Sequence, residues 1–117
     1  MRHHNAHRTL SRTRRGRVAL VRGLALSLLI HGAITTTEAK AKELRPFIER
    51  LITRAKTDSI AARRIVASRL GEPANTVIQK LFSEIAPKYA ERNGGYTRVV
   101  KMGETPAGRR EAVIELV

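Results

Sequence analysis

The spacing of apolar residues predicts two long helices in the first half of the chain. Residues 15–31 are apolar on almost every side between positions 18 and 30, which is typical of a helix buried on most sides. Gly32 follows where a left-handed helix end favours glycine. Pro46 is expected to kink or restart a second helix over residues 38–56. That helix carries its apolar side chains at steps of three and four, on one face: Ala41, Leu44, Ile48, Leu51, Ile52 and Ala55.

A short run of β-branched residues separates these two helices. The sequence Ile34-Thr35-Thr36-Thr37 favours a strand over residues 33–37. Thr35 stands three residues before Glu38, which is the spacing of a capping box. The strand is therefore expected to lead directly into the second helix.

Two shorter helices are predicted to follow. Asp58 or Ser59 can cap a third helix that runs to Leu70 and is closed by Gly71 and Pro73. A fourth helix, capped by Asn75, would end in one last turn opened by Pro87 around Tyr89. Its apolar residues are Val77, Ile78, Leu81, Phe82 and Ile85.

The chain closes with the pattern of a β-hairpin. Asn93-Gly94-Gly95 is a turn signal, and residues 96–102 and 111–116 alternate with the period of two that strands show. A polar loop, residues 103–110, joins them. The order of helix, strand, three helices and two strands predicts an α+β domain with a small sheet on which the helices pack.

The composition allows one small domain and excludes several classes of protein. The chain has 117 residues, and 42% of them are hydrophobic, which suffices for one modest core. The absence of cysteine excludes disulfides, zinc ribbons and cysteine nucleophiles. With two Phe, two Tyr and no Trp, the chain lacks the aromatic residues of a sheet that stacks single-stranded bases.

Charge is the feature that points to a partner. The chain has 23 Lys and Arg against 10 Asp and Glu, and no acidic residue precedes Glu38. Such a one-signed stretch repels itself and favours a polyanion, and guanidinium groups fork onto phosphate oxygens. We therefore predict an extended basic arm over residues 1–14, a globular domain over residues 15–117, and RNA as the partner. The arginines before Glu38 are Arg2, Arg8, Arg12, Arg14, Arg15, Arg17 and Arg22.

Further candidate RNA contacts lie in three places. His3, His4 and His7 are interpreted as hydrogen-bond donors to RNA rather than as a copper or nickel site at the amino terminus. Arg63 and Arg64 on the third helix, with Arg69 roughly on the same side, are candidates for phosphate binding. The turn at residues 93–95 lies close to Tyr96, Arg98 and Lys101 and forms at most a second corner that touches RNA.

Other classes of function have weaker support. No phosphate loop and no assembled acid, base and nucleophile are visible, so we expect no enzyme, no cofactor and no small-molecule substrate. The apolar run at residues 18–30 contains Arg22, is too short to span a membrane, and does not have the flanks of a signal peptide. The main alternative is a DNA-binding nucleoid protein whose third and fourth helices form a helix-turn-helix, although its connector would be long and contain Pro73.

Four segments together carry a resemblance to a known family. They are Met1-Arg2-His3, then Ile34-Thr35-Thr36-Thr37 running into Ala39-Lys40-Ala41-Lys42-Glu43-Leu44-Arg45-Pro46, then Gly94-Gly95-Tyr96-Thr97-Arg98, and the final Ile114-Glu115-Leu116-Val117. Over essentially its whole length, the chain resembles the seventeenth protein of the bacterial large ribosomal subunit. It differs from the usual arm pattern at Leu10-Ser11-Arg12 and at Arg14-Arg15-Gly16-Arg17.

The resemblance implies a two-layer α/β fold and a structural protein without catalytic activity. It implies binding to large-subunit ribosomal RNA near the polypeptide exit, contact with neighbouring large-subunit ribosomal proteins, and a cytoplasmic location within the large subunit. It also implies a set of RNA contacts at matching positions: Arg2, His3, Arg8, Arg12, Arg17, Lys40, Lys42, Arg45, Tyr96, Thr97 and Arg98.

Overall fold

The computed structural model describes Arg8, Leu10 and residues 12–117, and it confirms the predicted α+β architecture. Three antiparallel strands form the sheet: β1 (Ala33–Thr37), β2 (Thr97–Glu104) and β3 (Arg110–Leu116). The helices are α1 (Arg14–His31), α2 (Glu38–Ala55), α3 (Ile60–Leu70), α4 (Asn75–Lys80) and α5 (Ala86–Lys88), with a π-helical turn, Leu81–Ile85, between the last two.

The first two helices begin at threonines. The side chain of Thr13 accepts a hydrogen bond from the Gly16 amide at 3.2 Å, and that of Thr37 accepts one from the Lys40 amide at 3.3 Å. The predicted capping role of Thr35 is wrong, because β1 continues to Thr37 and Thr35 is paired with Val113 inside the sheet. The last residue of the strand, rather than the third last, is the one placed to cap α2.

The later helix ends agree only in part with the sequence pattern. Ser59 caps α3 by accepting a hydrogen bond from the Ala62 amide at 3.0 Å, so the second of the two predicted caps is confirmed. Gly71 ends α3 with φ 83°, in the left-handed region. Asn75 does not cap α4, because it already lies in the first turn and the cap position falls on Ala74, which has no side-chain acceptor.

Helix α2 passes through Pro46 without a break, so the predicted restart does not occur. Proline leaves the carbonyl four residues earlier without its helical partner. That carbonyl belongs to Lys42, and both Lys42 and Pro46 are exposed. The orphaned carbonyl therefore lies on the side of the helix where water can reach it.

The sheet has the strand order β1-β3-β2, so β3 lies in the centre. In one row of the sheet, Ile114 faces Ile34 on one side and Val99 on the other. Ile114 and Ala112 are fully buried, which shows that this face of the sheet packs against the helices. The predicted hairpin is thus confirmed, and its loop shortens to residues 105–109.

Helix α2 contributes more residues to the core than any other element of the described structure. All six of its predicted apolar positions are buried to 2% exposure or less, which confirms the helical periodicity. Helix α1 contributes Ala25, Leu28 and Leu29, each fully buried. Tyr89 and Tyr96 also belong to the core, with ring centroids 5.1 Å apart.

The predicted fourth helix is divided into three pieces. Its π-helical turn contains three buried residues, Leu81, Phe82 and Ile85. A π turn accommodates one extra residue in the helical ladder. These apolar side chains, predicted to belong to one helix, all reach the core, and Pro87 lies in the last turn before Tyr89 as expected.

The cap of α3 provides a test of the local structure. We expect Ser59→Ala to lower the free energy of unfolding by about 1 kcal/mol, because the Ala62 amide loses its acceptor. Urea denaturation followed by circular dichroism measures this change. Ser68→Ala is the matched control in the same helix, since its exposed hydroxyl makes no described hydrogen bond. Equal stabilities of the two variants would contradict the capping role.

Candidate nucleic-acid interface

A groove of about 420 Å³ runs between α1, α2 and the end of α3. We call it the basic groove, because Glu43 is the only acidic residue among the described residues that line it. The basic residues that line it are Arg8, Arg14, Arg17, Arg22, Lys42, Arg50 and Arg69.

Helical spacing brings these side chains to one surface. The lining residues of α1 are spaced three or four positions apart, so they lie on one face of the helix. They are Arg14, Arg17, Val18, Val21 and Arg22. On α2, the same steps join Lys42, Pro46 and Arg50. Arg69 enters from the last turn of α3. The groove forms because the buried faces of these three helices pack into one core.

The lining is also partly apolar. Leu10, Val21 and Phe47 line the groove and are half-buried, whereas Val18 is 41% exposed. Phe47 also packs against the hydrophobic core from its place on α2. The groove thus combines an apolar lining with surrounding cations.

Arg22 joins two walls of the basic groove. Its Nε donates to the carbonyl oxygen of Arg69 at 2.9 Å, and its second terminal nitrogen donates to that of Ser68 at 3.3 Å. These carbonyls belong to the last turn of α3, where helical backbone partners run out. The Ser68 carbonyl also accepts a hydrogen bond from the Gly71 amide at 3.2 Å. Since a guanidinium also complements the negative end of a helix, Arg22 holds α1 against α3.

Glu43 connects the described part of the arm to α2. Its carboxylate accepts hydrogen bonds from the Arg8 side chain at 3.1 Å and from the Arg8 backbone amide at 3.4 Å. This contact places Arg8 across the groove from α1. Glu43 therefore orients one cation while it neutralises part of the positive charge.

Glu38 plays a similar part beside the groove. Lys42 donates to it at 2.8 Å, and the ammonium of Lys101 lies 3.6 Å away. The hydrogen bond from Lys42 and the charges of both lysines hold the pKa of Glu38 below its ordinary value. This carboxylate stays ionised at neutral pH and pairs with Lys42.

Comparison with known proteins identifies the family of the chain. The model of the family described as "Ribosomal protein L17" matches residues 20–117. The chain belongs to this family. The prediction from resemblance is confirmed, and the ribosomal protein L17 family is structural rather than enzymatic, which also confirms that the chain is not an enzyme.

The relatives are similar along the whole chain. A protein of Gemmatimonas aurantiaca named large ribosomal subunit protein bL17 is 50% identical over 118 residues, which cover 100% of this chain and 98% of the relative. A bL17 of Hydrogenobaculum is 50% identical over 119 residues, covering 100% and 99%. One from Geobacter metallireducens is 48% identical over 118 residues, covering 100% of this chain and 65% of its own length.

Several predicted contact residues of this L17 family member lie at the surface, just before α1 or on α1 and α2. Arg12, Arg14 and Arg15 are exposed, and Arg17 and Lys40 are half-buried. Within residues 12–117, no ion pair involves any of these five. Arg45, in contrast, lies 3.4 Å from a carboxylate oxygen of Glu49.

Arg63 and Arg64 do not reach the basic groove. They line a separate groove between α3 and α4 with Asn75 and Gln79. The expectation that Arg69 shares their side is wrong, because it lines the basic groove. A separation of six residues rotates a side chain by about 240° around a helix with 3.6 residues per turn, counted from Arg63.

Arg63 is held by neighbours within the protein. Its guanidinium donates to both carboxylate oxygens of Asp58, at 2.7 and 2.9 Å, and lies 5.0 Å from the centre of the Phe82 ring. Through this hydrogen bonding, Arg63 lowers the pKa of Asp58, and Asp58 raises that of Arg63. Phosphate binding by Arg63 would compete with this pair.

The predicted corner at residues 96–98 needs a correction. Tyr96 and Thr97 are only 1% and 3% exposed, so neither side chain faces a partner. The Tyr96 hydroxyl lies 3.1 Å from that of Thr53, and Thr97 donates to Glu49 at 2.6 Å. Only Arg98 of the three is exposed, and its Nε donates to Glu115 at 2.8 Å. The turn and the resemblance placed this corner at the surface, but Tyr96 and Thr97 are buried and their hydroxyl groups are engaged by side chains of α2.

The remaining candidates fall outside the part that the structure describes. Arg2, His3, His4 and His7 are these candidates, and their roles stay predictions. Over Arg8, Leu10 and residues 12–117, no group of three metal-binding side chains is present. None of the helices in these residues combines the length and the hydrophobicity that a transmembrane span requires.

Three basic residues near this surface were missed by the sequence analysis, and a fourth, Arg69, was placed on the wrong side of α3. Arg50 and Arg69 line the basic groove, and Arg109 and Arg110 lie with Arg8 in an adjoining groove at the start of α2. The helical spacing from Lys42 through Pro46 to Arg50 was a usable signal. No local pattern connects the other three to the arm, because tertiary packing brings them there.

Arg22 is expected to stabilise the fold. Arg22→Ala should lower the free energy of unfolding by about 1 to 2 kcal/mol, because two carbonyls at the end of α3 lose a charged donor. Arg17→Ala, which removes the same charge from the same helix, should change stability by less than about 0.5 kcal/mol. Chemical denaturation of both variants measures the difference, and equal effects would show that the contact does not stabilise the protein.

Proposed function

We propose that the protein is a structural constituent of the large ribosomal subunit and that it binds ribosomal RNA through the basic groove. The proposed place in the large subunit is supported by membership of the ribosomal protein L17 family and by relatives that are named for that subunit. The seven cations around one acid in the basic groove support RNA as the ligand. That charge imbalance is the observation on which the proposal depends.

The cations of the groove divide into two groups. Arg8, Arg22 and Lys42 are bound to carboxylates or carbonyls of the protein. The other four have no ion pair with any residue of the described part of the chain: Arg14, Arg17, Arg50 and Arg69. Arginine forks onto two phosphate oxygens at once, so these four are the groups best suited to a phosphate backbone.

The arm and the groove would act together as a clamp. The packing of residues 21–29 against the core positions α1, and Glu43 positions Arg8 of the arm. Phosphates of RNA helices that crowd together repel one another, and a line of arginines between them lowers that repulsion. Support of subunit assembly is the role that follows, carried out in the cytoplasm within the large subunit.

The basic surface extends beyond the groove toward the hairpin. Arg8 and Lys42 also line the adjoining groove of about 350 Å³ that contains Arg109 and Arg110. Neighbouring large-subunit ribosomal proteins are proposed as further partners. The division into an arm of residues 1–14 and a domain of residues 15–117 also stays a proposal; α1 already begins at Arg14.

Salt dependence tests the electrostatic basis of binding. If the protein neutralises about five phosphates, the logarithm of the association constant should fall against the logarithm of salt concentration with a slope of roughly −3.5 to −4.5. Filter binding of the full chain to large-subunit ribosomal RNA measures this slope. A slope near zero would refute the proposed mode of binding.

A pair of matched double variants tests the location of the contacts. Arg14→Gln with Arg17→Gln should make the slope less steep by about 1.4 to 1.8, because two phosphate contacts are lost. Lys88→Gln with Arg92→Gln removes the same charge outside the basic groove and should leave most of the slope in place. Equal losses in the two double variants would mean that net charge, and not the groove, binds RNA.

Association with the particle separates this proposal from the DNA-binding alternative. The protein should sediment with large ribosomal subunits in high-magnesium sucrose gradients and should prefer folded ribosomal RNA over duplex DNA at equal salt. Tighter binding to duplex DNA, together with absence from the subunit fractions, would favour the nucleoid protein instead.

A further inference from the structure

The apolar lining of the basic groove has no use in a site that binds only phosphates. A phosphate backbone requires cations and hydrogen-bond donors, and contact with apolar groups would remove its water without replacement. Yet Phe47, Val21 and Leu10 line the same groove as the arginines. The lining fits a ligand that contains both anionic groups and a flat apolar ring.

The size of the groove fits such a ligand. Its volume of about 420 Å³ lies within the range of roughly 300 to 1,000 Å³ that is typical of small-molecule sites. Arg14 and Arg17 come from the α1 wall, and Arg50 and Arg69 come from the α2 and α3 walls. Cations on both sides of an apolar lining can hold the two phosphates that flank one base.

We propose that the basic groove holds one extrahelical nucleotide of ribosomal RNA. This inference rests on the proposed function and adds the kind of RNA element that is recognised. The base lies against Phe47, and the flanking phosphates are bound by the arginines of the opposite walls. A single aromatic residue suffices for one base, in agreement with the absence of the several aromatics that a stacking sheet requires.

Substitutions of Phe47 distinguish base contact from electrostatic binding. Phe47→Leu keeps an apolar side chain beside the core but removes the aromatic ring. It should weaken binding to large-subunit ribosomal RNA about 5- to 150-fold, the range expected for one stacked base. The salt slope should stay unchanged, because no charge is removed.

Two controls accompany this variant. Val100→Ala alters an exposed apolar residue of β2 that does not line the basic groove, and it should bind as the parent does. Urea denaturation establishes that Phe47→Leu is folded at the temperature of the assay. Parental affinity of folded Phe47→Leu would overturn the inference while leaving the salt slope, and hence the proposed function, intact.

Cross-linking supplies a measurement that does not depend on the stability of Phe47→Leu. A photoreactive azidophenylalanine replaces Phe47 in one protein and Val100 in another, and each is irradiated with large-subunit ribosomal RNA. Reverse transcription should stop at one unpaired nucleotide for position 47 and should show no such stop for position 100.

Each other result contradicts the inference in a different way. Stops spread along a paired helix would mean that the groove follows the backbone. Cross-links to a protein in assembled subunits, without any to RNA, would assign the groove to a peptide. If the unmodified parent does not bind large-subunit ribosomal RNA at all, the proposed function itself is refuted.

Discussion

Burial of the apolar half of α1 is the interaction on which the arrangement of the charged surface depends. Ala25, Leu28 and Leu29 are fully buried in the same core as the apolar face of α2. Full burial of one leucine contributes about 1.5 to 3 kcal/mol, whereas an exposed ion pair contributes about 0 to 1 kcal/mol. The apolar contacts therefore decide where the helix lies, and the position of the helix determines where the arginines of its first turns are placed.

This arrangement brings like charges together, and the protein moderates the resulting repulsion locally. Arg22 donates to carbonyls at the end of α3, Arg8 pairs with Glu43, and Lys42 pairs with Glu38. The remaining arginines are exposed enough for water and salt to screen them. A polyanion would replace that screening with direct contacts, so the same repulsion that costs stability in isolation favours binding.

The elements of the fold were predictable because local periodicity reports burial. The six apolar positions of α2, the strand at residues 33–37 and the closing hairpin all agree with the structure. The predicted contact at Thr97 failed because the surroundings of that residue come from elsewhere in the chain. Thr97 was expected to contact RNA, but its side chain is buried and donates a hydrogen bond to Glu49, 48 positions away. Arg69 was assigned to the wrong side of α3.

The sequence by itself determined that a stretch without acidic residues leads into an apolar helix, because the charge and the hydrophobicity of a segment are sums over its own residues. Tertiary structure alone decided which cations share a groove and that Phe47 lines it. Arg22 and Arg69 are 47 positions apart and meet only through the packing of α1 against α3. A helix carries side chains in every direction. The neighbours of each side chain depend on how the helices pack against one another, and no local pattern encodes that packing.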